Sequence, residues 1–159
     1  MHELRLMGRL MGDVCRAVVV VGTVLGVAVL SAGAAGADGP VQLRSRSGGS
    51  CLDAPLGRVQ VSMVINTCNG TDFQRWNLNG QQLESVAFPG RCLKADESWV
   101  TYLGPCLNAL VQQWNIQPDG QVTTYNGRCL TVLGGPGPGT RVGARWCDGD
   151  VGQGWDSVP

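Results

Sequence analysis

The stretch CNGTDFQRW (Cys68–Trp76) decides how this chain is read. Its end, QRW (Gln74–Trp76), returns as QQW (Gln112–Trp114) and as QGW (Gln153–Trp155). A second signature recurs upstream of each: GSCLDA (Gly49–Ala54), GRCLKA (Gly90–Ala95) and GRCLTV (Gly127–Val132). The first cysteines of successive copies lie 41 and 37 residues apart, and the tryptophans 38 and 41. Self-similarity at a period near forty marks an architecture built from one repeated unit. Three repeats, at about 41–80, 81–119 and 120–159, fill nearly all of residues 38–159 and leave no room for a separate catalytic domain.

Within each repeat the sequence reads as short strands. VQLRS, MVINTC, RWNL, QLESVAF, QWNIQ, QVTTY and ARWC mix β-branched, aromatic and polar residues over a few positions. Turn-formers bound them, and LNGQ, PDGQ and YNGR carry the Asn-Gly or Asp-Gly pairs favoured in tight hairpins. No stretch beyond residue 38 keeps apolar residues at helical spacing for three turns, so this part is expected to be all-β. One repeat alone buries too little, and three are expected to share a core about a pseudo-threefold axis.

The N-terminal segment reads differently. Arg5, Arg9 and Arg16 precede the apolar run AVVVVGTVLGVAVL (Ala17–Leu30), and SAGAAGA follows. A basic start, a short apolar run and an Ala-x-Ala end make residues 1–37 a secretory signal peptide, cleaved after Ala37 or Ala34. Secretion, with no membrane attachment after cleavage, is the expectation. The leader takes with it three of twelve basic and two of twelve acidic residues, so residues 38–159 keep nine and ten, a net charge of −1. Lys and Arg do not cluster there, which argues against a nucleic-acid partner. The single histidine, His2, lies in the leader, so the mature chain has no Ser–His or Cys–His pair and no imidazole metal site. No cofactor is expected.

Cys15 also lies in the leader, leaving Cys51, Cys68, Cys92, Cys106, Cys129 and Cys147. An even number in a secreted chain reads as three disulfides, with about fifteen possible pairings. The repeat selects one of them: Cys51–Cys68, Cys92–Cys106 and Cys129–Cys147, each closing a loop worth on the order of 3 kcal/mol. Residues i and i+2 of a strand share a face, so Gln74 and Trp76, Gln112 and Trp114, and Gln153 and Trp155 are expected to point inward together. The indoles supply core area and the amides satisfy unpaired backbone. QxW therefore identifies a scaffold and does not by itself show what binds.

Three units of GxCL … C … QxW resemble the ricin-type β-trefoil lectin domain, a carbohydrate-binding module found beside secreted glycosidases. The resemblance implies a twelve-stranded trefoil with one potential sugar site per repeat and galactose-type glycans as ligands. It also implies an Asp two residues after the first Cys, an aromatic two before the second, and an Asn before the QxW Gln. The first repeat holds Asp53, Asn66 and Phe73 there, with Asp72 alongside. The second holds Lys94, Gly104 and Val111, and the third Thr131, Arg145 and Gly152, with Trp146 next to the aromatic position. Asp53, Asn66, Asp72, Phe73 and Gln74 are thus the candidate sugar-binding residues, with Phe73 or Trp99 as the substitute aromatic floor. Arg145 and Trp146 are read as a structural pair. The competing reading is a disulfide-stapled trefoil that binds a protein, such as a protease inhibitor presenting GGPGPG (Gly134–Gly139). An enzyme using Asp53 and Asp72 as paired carboxylates is the remaining alternative, and no enzyme is expected.

Overall fold

The computed structural model describes residues 39–55 and 61–159; the proposed leader lies outside the described residues. Twelve strands follow in order: β1 Gln42–Ser45, β2 Cys51–Asp53, β3 Val64–Asn66, β4 Trp76–Asn79, β5 Gln82–Ser85 and β6 Arg91–Ala95. The second half comprises β7 Thr101–Pro105, β8 Trp114–Ile116, β9 Val122–Thr124, β10 Arg128–Val132, β11 Val142–Trp146 and β12 Trp155–Val158. They form three four-stranded antiparallel sheets, ordered β12-β1-β2-β3, β4-β5-β6-β7 and β8-β9-β10-β11. Each sheet thus takes the last strand of one repeat and the first three of the next. The pairing of β12 with β1, from Gln42 opposite Val158 to Ser45 opposite Trp155, closes the ring.

Repetition in sequence becomes repetition in hydrogen bonding. The backbone N–H of each QxW tryptophan returns to the start of its own repeat: Trp76 to the Val41 carbonyl (2.8 Å), Trp114 to Gln81 (2.7 Å) and Trp155 to Gly120 (2.9 Å). At one end the hairpins β2–β3, β6–β7 and β10–β11 cap the barrel by bonding to one another. Met63 N–H donates to Thr101 O and Val142 N–H to Met63 O, both at 2.8 Å, and Ala144 N–H donates to Trp99 O at 2.9 Å. The β4–β5 turn is formed by Gly80 and Gln81, with Gly80 at φ +62°. Asn79 therefore ends its strand, opposite Gln82, and the glycine alone meets the demand for a positive φ.

The core is layered in threes. Leu43, Leu83 and Val122 come from the first strand of each repeat, and Leu52, Leu93 and Leu130 from the CL signatures. Ile65, Leu103 and Ala144 face them from the third strand, where Leu52 pairs with Ile65, Leu93 with Leu103 and Leu130 with Ala144. Trp76, Trp114 and Trp155 complete the set, all buried. Each indole N–H donates to the carbonyl of the CL leucine in its own repeat: Leu52 (3.4 Å), Leu93 (2.9 Å) and Leu130 (2.8 Å). Burying each Leu-sized side chain contributes about 1.5–3 kcal/mol. The polar edge of each tryptophan is satisfied in the same arrangement.

The disulfides join Cys51 to Cys68, Cys92 to Cys106 and Cys129 to Cys147, with Cα separations of 5.0, 4.9 and 5.1 Å. One local expectation is corrected. The QxW glutamines do not sit on a strand with their tryptophans; Gln74, Gln112 and Gln153 end the 3-10 turns Asp72–Gln74, Leu110–Gln112 and Val151–Gln153, and the strand begins at Trp. Both side chains are still buried, because the tight turn swings the amide inward beneath the loop that carries the second cysteine.

Candidate functional site

Each QxW glutamine clamps the backbone on both sides of the second half-cystine. Its amide NH2 donates to the residue before that cysteine: Thr67 O (3.0 Å), Pro105 O (2.7 Å) and Trp146 O (2.8 Å). Its Oε1 accepts from the residue after it: Asn69 N–H (2.9 Å), Leu107 N–H (2.7 Å) and Asp148 N–H (3.0 Å). The first repeat adds a bond that the others lack. Gln74 Nε2 also donates to Asp53 Oδ2 at 2.8 Å.

Asp53 sits on β2 opposite Val64 and is 5% exposed. Its Oδ2 is held by Gln74, and no described residue engages its Oδ1. Phe73 lies beside it through the bond from Ala54 N–H to Phe73 O at 3.0 Å, is 41% exposed, and tilts against Phe88 with ring centres 5.6 Å apart. Asp72 is exposed, 3.8 Å from the Arg75 guanidinium. Asn66 is half-buried opposite Cys51, and its Oδ1 accepts from Gly139 N–H at 3.1 Å. Asp53, Phe73 and Gln74 are thus brought together. Asn66 faces the Gly134–Gly139 loop, which also lies over Gly48 and Ser50 through Pro136.

Trp99 does not stand at this place. It lies in the turn between β6 and β7 and covers the guanidinium of Arg128 in the third repeat, while its carbonyl accepts from Ala144 N–H. The hairpin cap draws it there, because its carbonyl is one of the acceptors joining the second repeat to the third. Trp99 is the one described non-glycine residue with a positive φ, +68°. Such a conformation costs on the order of 1–3 kcal/mol and persists only where its surroundings hold it.

The corresponding place in the second repeat is filled by its own lysine. A Cβ at Gly104 would come within 3.0 Å of Lys94 Cδ, so the aliphatic stem occupies the space of the missing aromatic. The Lys94 ammonium rests over the Tyr102 ring, 4.5 Å from its centre, where the two residues oppose each other across β6 and β7. Val111 is exposed on the turn before Gln112.

In the third repeat Thr131 is buried and donates to Cys129 O at 2.7 Å. At Gly152 a Cβ would lie 2.9 Å from Asp150 Oδ1, which accepts from Gly152 N–H and caps the 3-10 turn. A shallow open depression lies here, walled by Arg145, Trp146, Asp148 and Asp150. Trp146 is 64% exposed. Its partner is Arg128, 4.0 Å from the ring centre, and not Arg145, with which it was expected to form a structural pair. The register explains the correction: Trp146 and Arg128 are directly opposed across β10 and β11, whereas neighbours along one strand face opposite ways. Arg128 therefore lies between two indoles. Burial, with Arg145 nearby, pulls its guanidinium below the ordinary arginine value. No spacing rule reveals this stack, because Trp99, Arg128 and Trp146 come from three separate segments.

Known proteins place this geometry in context. The family model described as the ricin-type beta-trefoil lectin domain matches residues 39–155. An uncharacterized protein of Mycobacterium tuberculosis is 59% identical over 153 residues, spanning 95% of this chain and 98% of its own. The β-trefoil lectin of the Vibrio vulnificus hemolysin/cytolysin, solved with N-acetyl-D-lactosamine bound, superposes with a TM-score of 0.63 at 23% identity, covering 77% of this chain and 95% of that one. The C-half of the earthworm R-type lectin, solved with GalNAc, gives 0.66 at 12% identity, covering 76% and 98%. At such identities the two structures speak to the fold alone. The extent of the family match, on a ring of three QxW repeats, shows that this chain belongs to the ricin-type β-trefoil lectin domain family.

Proposed function

We propose that the protein is a secreted, non-catalytic sugar-binding protein whose first repeat carries the recognition site. The observation that carries this reading is the 2.8 Å bond from Gln74 to Asp53, present in the first repeat and absent from the other two. It holds one carboxylate oxygen and leaves the other without a described partner, an acceptor of the kind that orients a pyranose hydroxyl. Phe73 supplies an apolar surface for the C–H face of the ring, and Asp72 a second acceptor at the rim. Galactose-type sugars are the first ligands to test, since both neighbouring lectins were solved with sugars of that class.

A single shallow site of this kind binds at roughly millimolar strength, about 4 kcal/mol. Stronger attachment to a glycan surface needs several contacts at once. Three disulfides suit an oxidising compartment, which supports secretion by way of the leader. Asp72 pairs with Arg75 while Asp53 is held by Gln74, so the two carboxylates serve separate partners and a glycosidase pair draws no support. The protease-inhibitor reading also draws little, because the Gly134–Gly139 loop is hydrogen-bonded to Ile65 and Asn66 of the first repeat and does not project freely.

The test is a glycan array followed by titration calorimetry with the best ligand, comparing the native protein with Asp53→Asn. Loss of binding in a variant that keeps its β-sheet circular dichroism supports the assignment. Unchanged affinity removes Asp53 from the site.

A further inference from the structure

The three QxW turns expose different chemistry. At the residue after the second cysteine and at the first two places of the 3-10 turn, the first repeat carries Asn69, Asp72 and Phe73, and the third Asp148, Val151 and Gly152. The second carries Leu107, Leu110 and Val111, which are 61%, 56% and 37% exposed. A tight loop, closed by the 2.7 Å bond from Ala109 N–H to Leu107 O, holds these three together. The apolar surface continues into the next repeat. Val111 and Tyr125 wall one small crevice together with Arg128, and Arg128 underlies Trp146. Tyr125 is 51% and Trp146 64% exposed. Five of the nine exposed large apolar side chains among the described residues thus form one strip across the junction of the second and third repeats. A contiguous strip of this kind marks an interaction surface.

Area, shape and charge together favour a second copy of this chain as the occupant. At their exposures the five side chains present on the order of 400 Å² of apolar surface. A stable homodimer buries about 800 Å² on each partner, about 65% of it apolar, so the strip supplies most of the apolar share of one such face. Its two ends are unlike: leucines on the second repeat, a flat indole on the third. A twofold axis near Val111 and Tyr125 lays the Trp146 of each copy on the Leu107 and Leu110 of the other, the self-complementarity that a twofold interface requires. Residues 38–159 hold nine basic and ten acidic side chains, so copies repel one another little. The basic residues do not cluster, which leaves an anionic lipid surface without a hold. The first repeat lies across the pseudo-threefold ring from this junction, so pairing there leaves both Asp53 sites uncovered.

We propose that this strip is a twofold interface through which two copies of the chain pair, so that their two first-repeat sites act together on a glycan surface. The pairing stands on the strip alone; its bivalent use rests on the sugar-binding reading above. The experiment is sedimentation velocity of the disulfide-intact protein without sugar, from about 5 to about 500 μM chain. A dimer that dominates by about 50 μM is expected. Leu110→Glu and Trp146→Ala, both at exposed positions, are each expected to weaken association by at least about tenfold. Val151→Glu, at the matching turn of the third repeat and off the strip, is expected to leave it unchanged, and β-sheet circular dichroism checks that each variant is folded. Monomer throughout that range overturns the proposal, as does a dimer that withstands both strip substitutions. Monomer that cosediments with phosphatidylglycerol vesicles gives the strip to a lipid surface and overturns it as well. Asp53→Asn is expected to remain dimeric while losing sugar, so the interface and the sugar site fail separately. Native protein is expected to leave a glycan-coated surface at least about tenfold more slowly than Leu110→Glu, with equal affinity for free sugar. Equal dissociation rates overturn the bivalent role.

Discussion

Replacing Gln74 by alanine separates what the QxW glutamine does for the scaffold from what it does for Asp53. In the native protein Gln74 makes three bonds: to Thr67 O, from Asn69 N–H and to Asp53 Oδ2. The two neutral bonds contribute about 1 kcal/mol each and the bond to the carboxylate about 1.5–3 kcal/mol, a total near 4 kcal/mol. Gln112→Ala is the internal control. Gln112 makes the same two backbone bonds, plus one from the Gln82 amide at 3.1 Å, but touches no carboxylate. Its loss is expected to cost about 2–3 kcal/mol. With melting temperatures shifting by roughly 4 °C per kcal/mol for a domain of this size, Gln74→Ala should melt about 15 °C below the native protein and Gln112→Ala about 10 °C below. Urea unfolding followed by tryptophan fluorescence, with disulfides intact, measures both. A double-mutant cycle with Asp53→Ala should return a coupling of about 1.5–3 kcal/mol between Gln74 and Asp53. Equal losses for the two glutamines, with coupling below about 0.5 kcal/mol, would show that Gln74 does not hold the carboxylate and would remove the basis of the first-repeat site.

Three other perturbations test the frame around it. Gly143→Ala would put a Cβ 2.6 Å from Trp99 O and 2.8 Å from Leu133 Cδ1; overpacking of that kind costs about 1–3 kcal/mol, and urea titration should find it together with a shifted Trp99 indole resonance. Trp155→Phe removes the indole donor to Leu130 O and should cost at least about 1 kcal/mol. Trp146→Ala, at a mostly exposed ring, should cost less than about 1 kcal/mol, so thermal melts that reverse the order of these two would contradict the assignment of core and rim. Replacing Cys92 and Cys106 together by serine should lower stability by about 3 kcal/mol, and non-reducing peptide maps of the native protein should show no crosslink between different repeats.

Much of the fold can be read from spacing alone because each repeat carries its own scaffold chemistry. The two cysteines, the CL leucine and the QxW tryptophan bond within one repeat, and such interactions recur wherever the short pattern recurs. The candidate site was legible only in part. Asp53 and Gln74 meet because both stand at fixed places in the repeat, two residues after the first cysteine and two before the tryptophan, whereas Asn66 turns to the Gly134–Gly139 loop and Trp99 to Arg128, partners that no local rule names. Glutamine and tryptophan are buried together because a 3-10 turn, and not a shared strand, carries the amide inward, a local geometry that strand periodicity does not reveal.

The amino-acid sequence by itself determined that three similar units, each crosslinked by its own cysteine pair and anchored by its own indole, build an all-β ring. Only the tertiary structure decided which spaces between those units are filled and which stand open. Lys94 closes one place because Gly104 leaves room for its stem, whereas a small crevice lined by Trp99, Val111 and Ala144 stays open. Pattern reports what a residue does for its own strand; an open or filled space is the sum of side-chain volumes from segments far apart in the chain, and that sum exists only once they are packed.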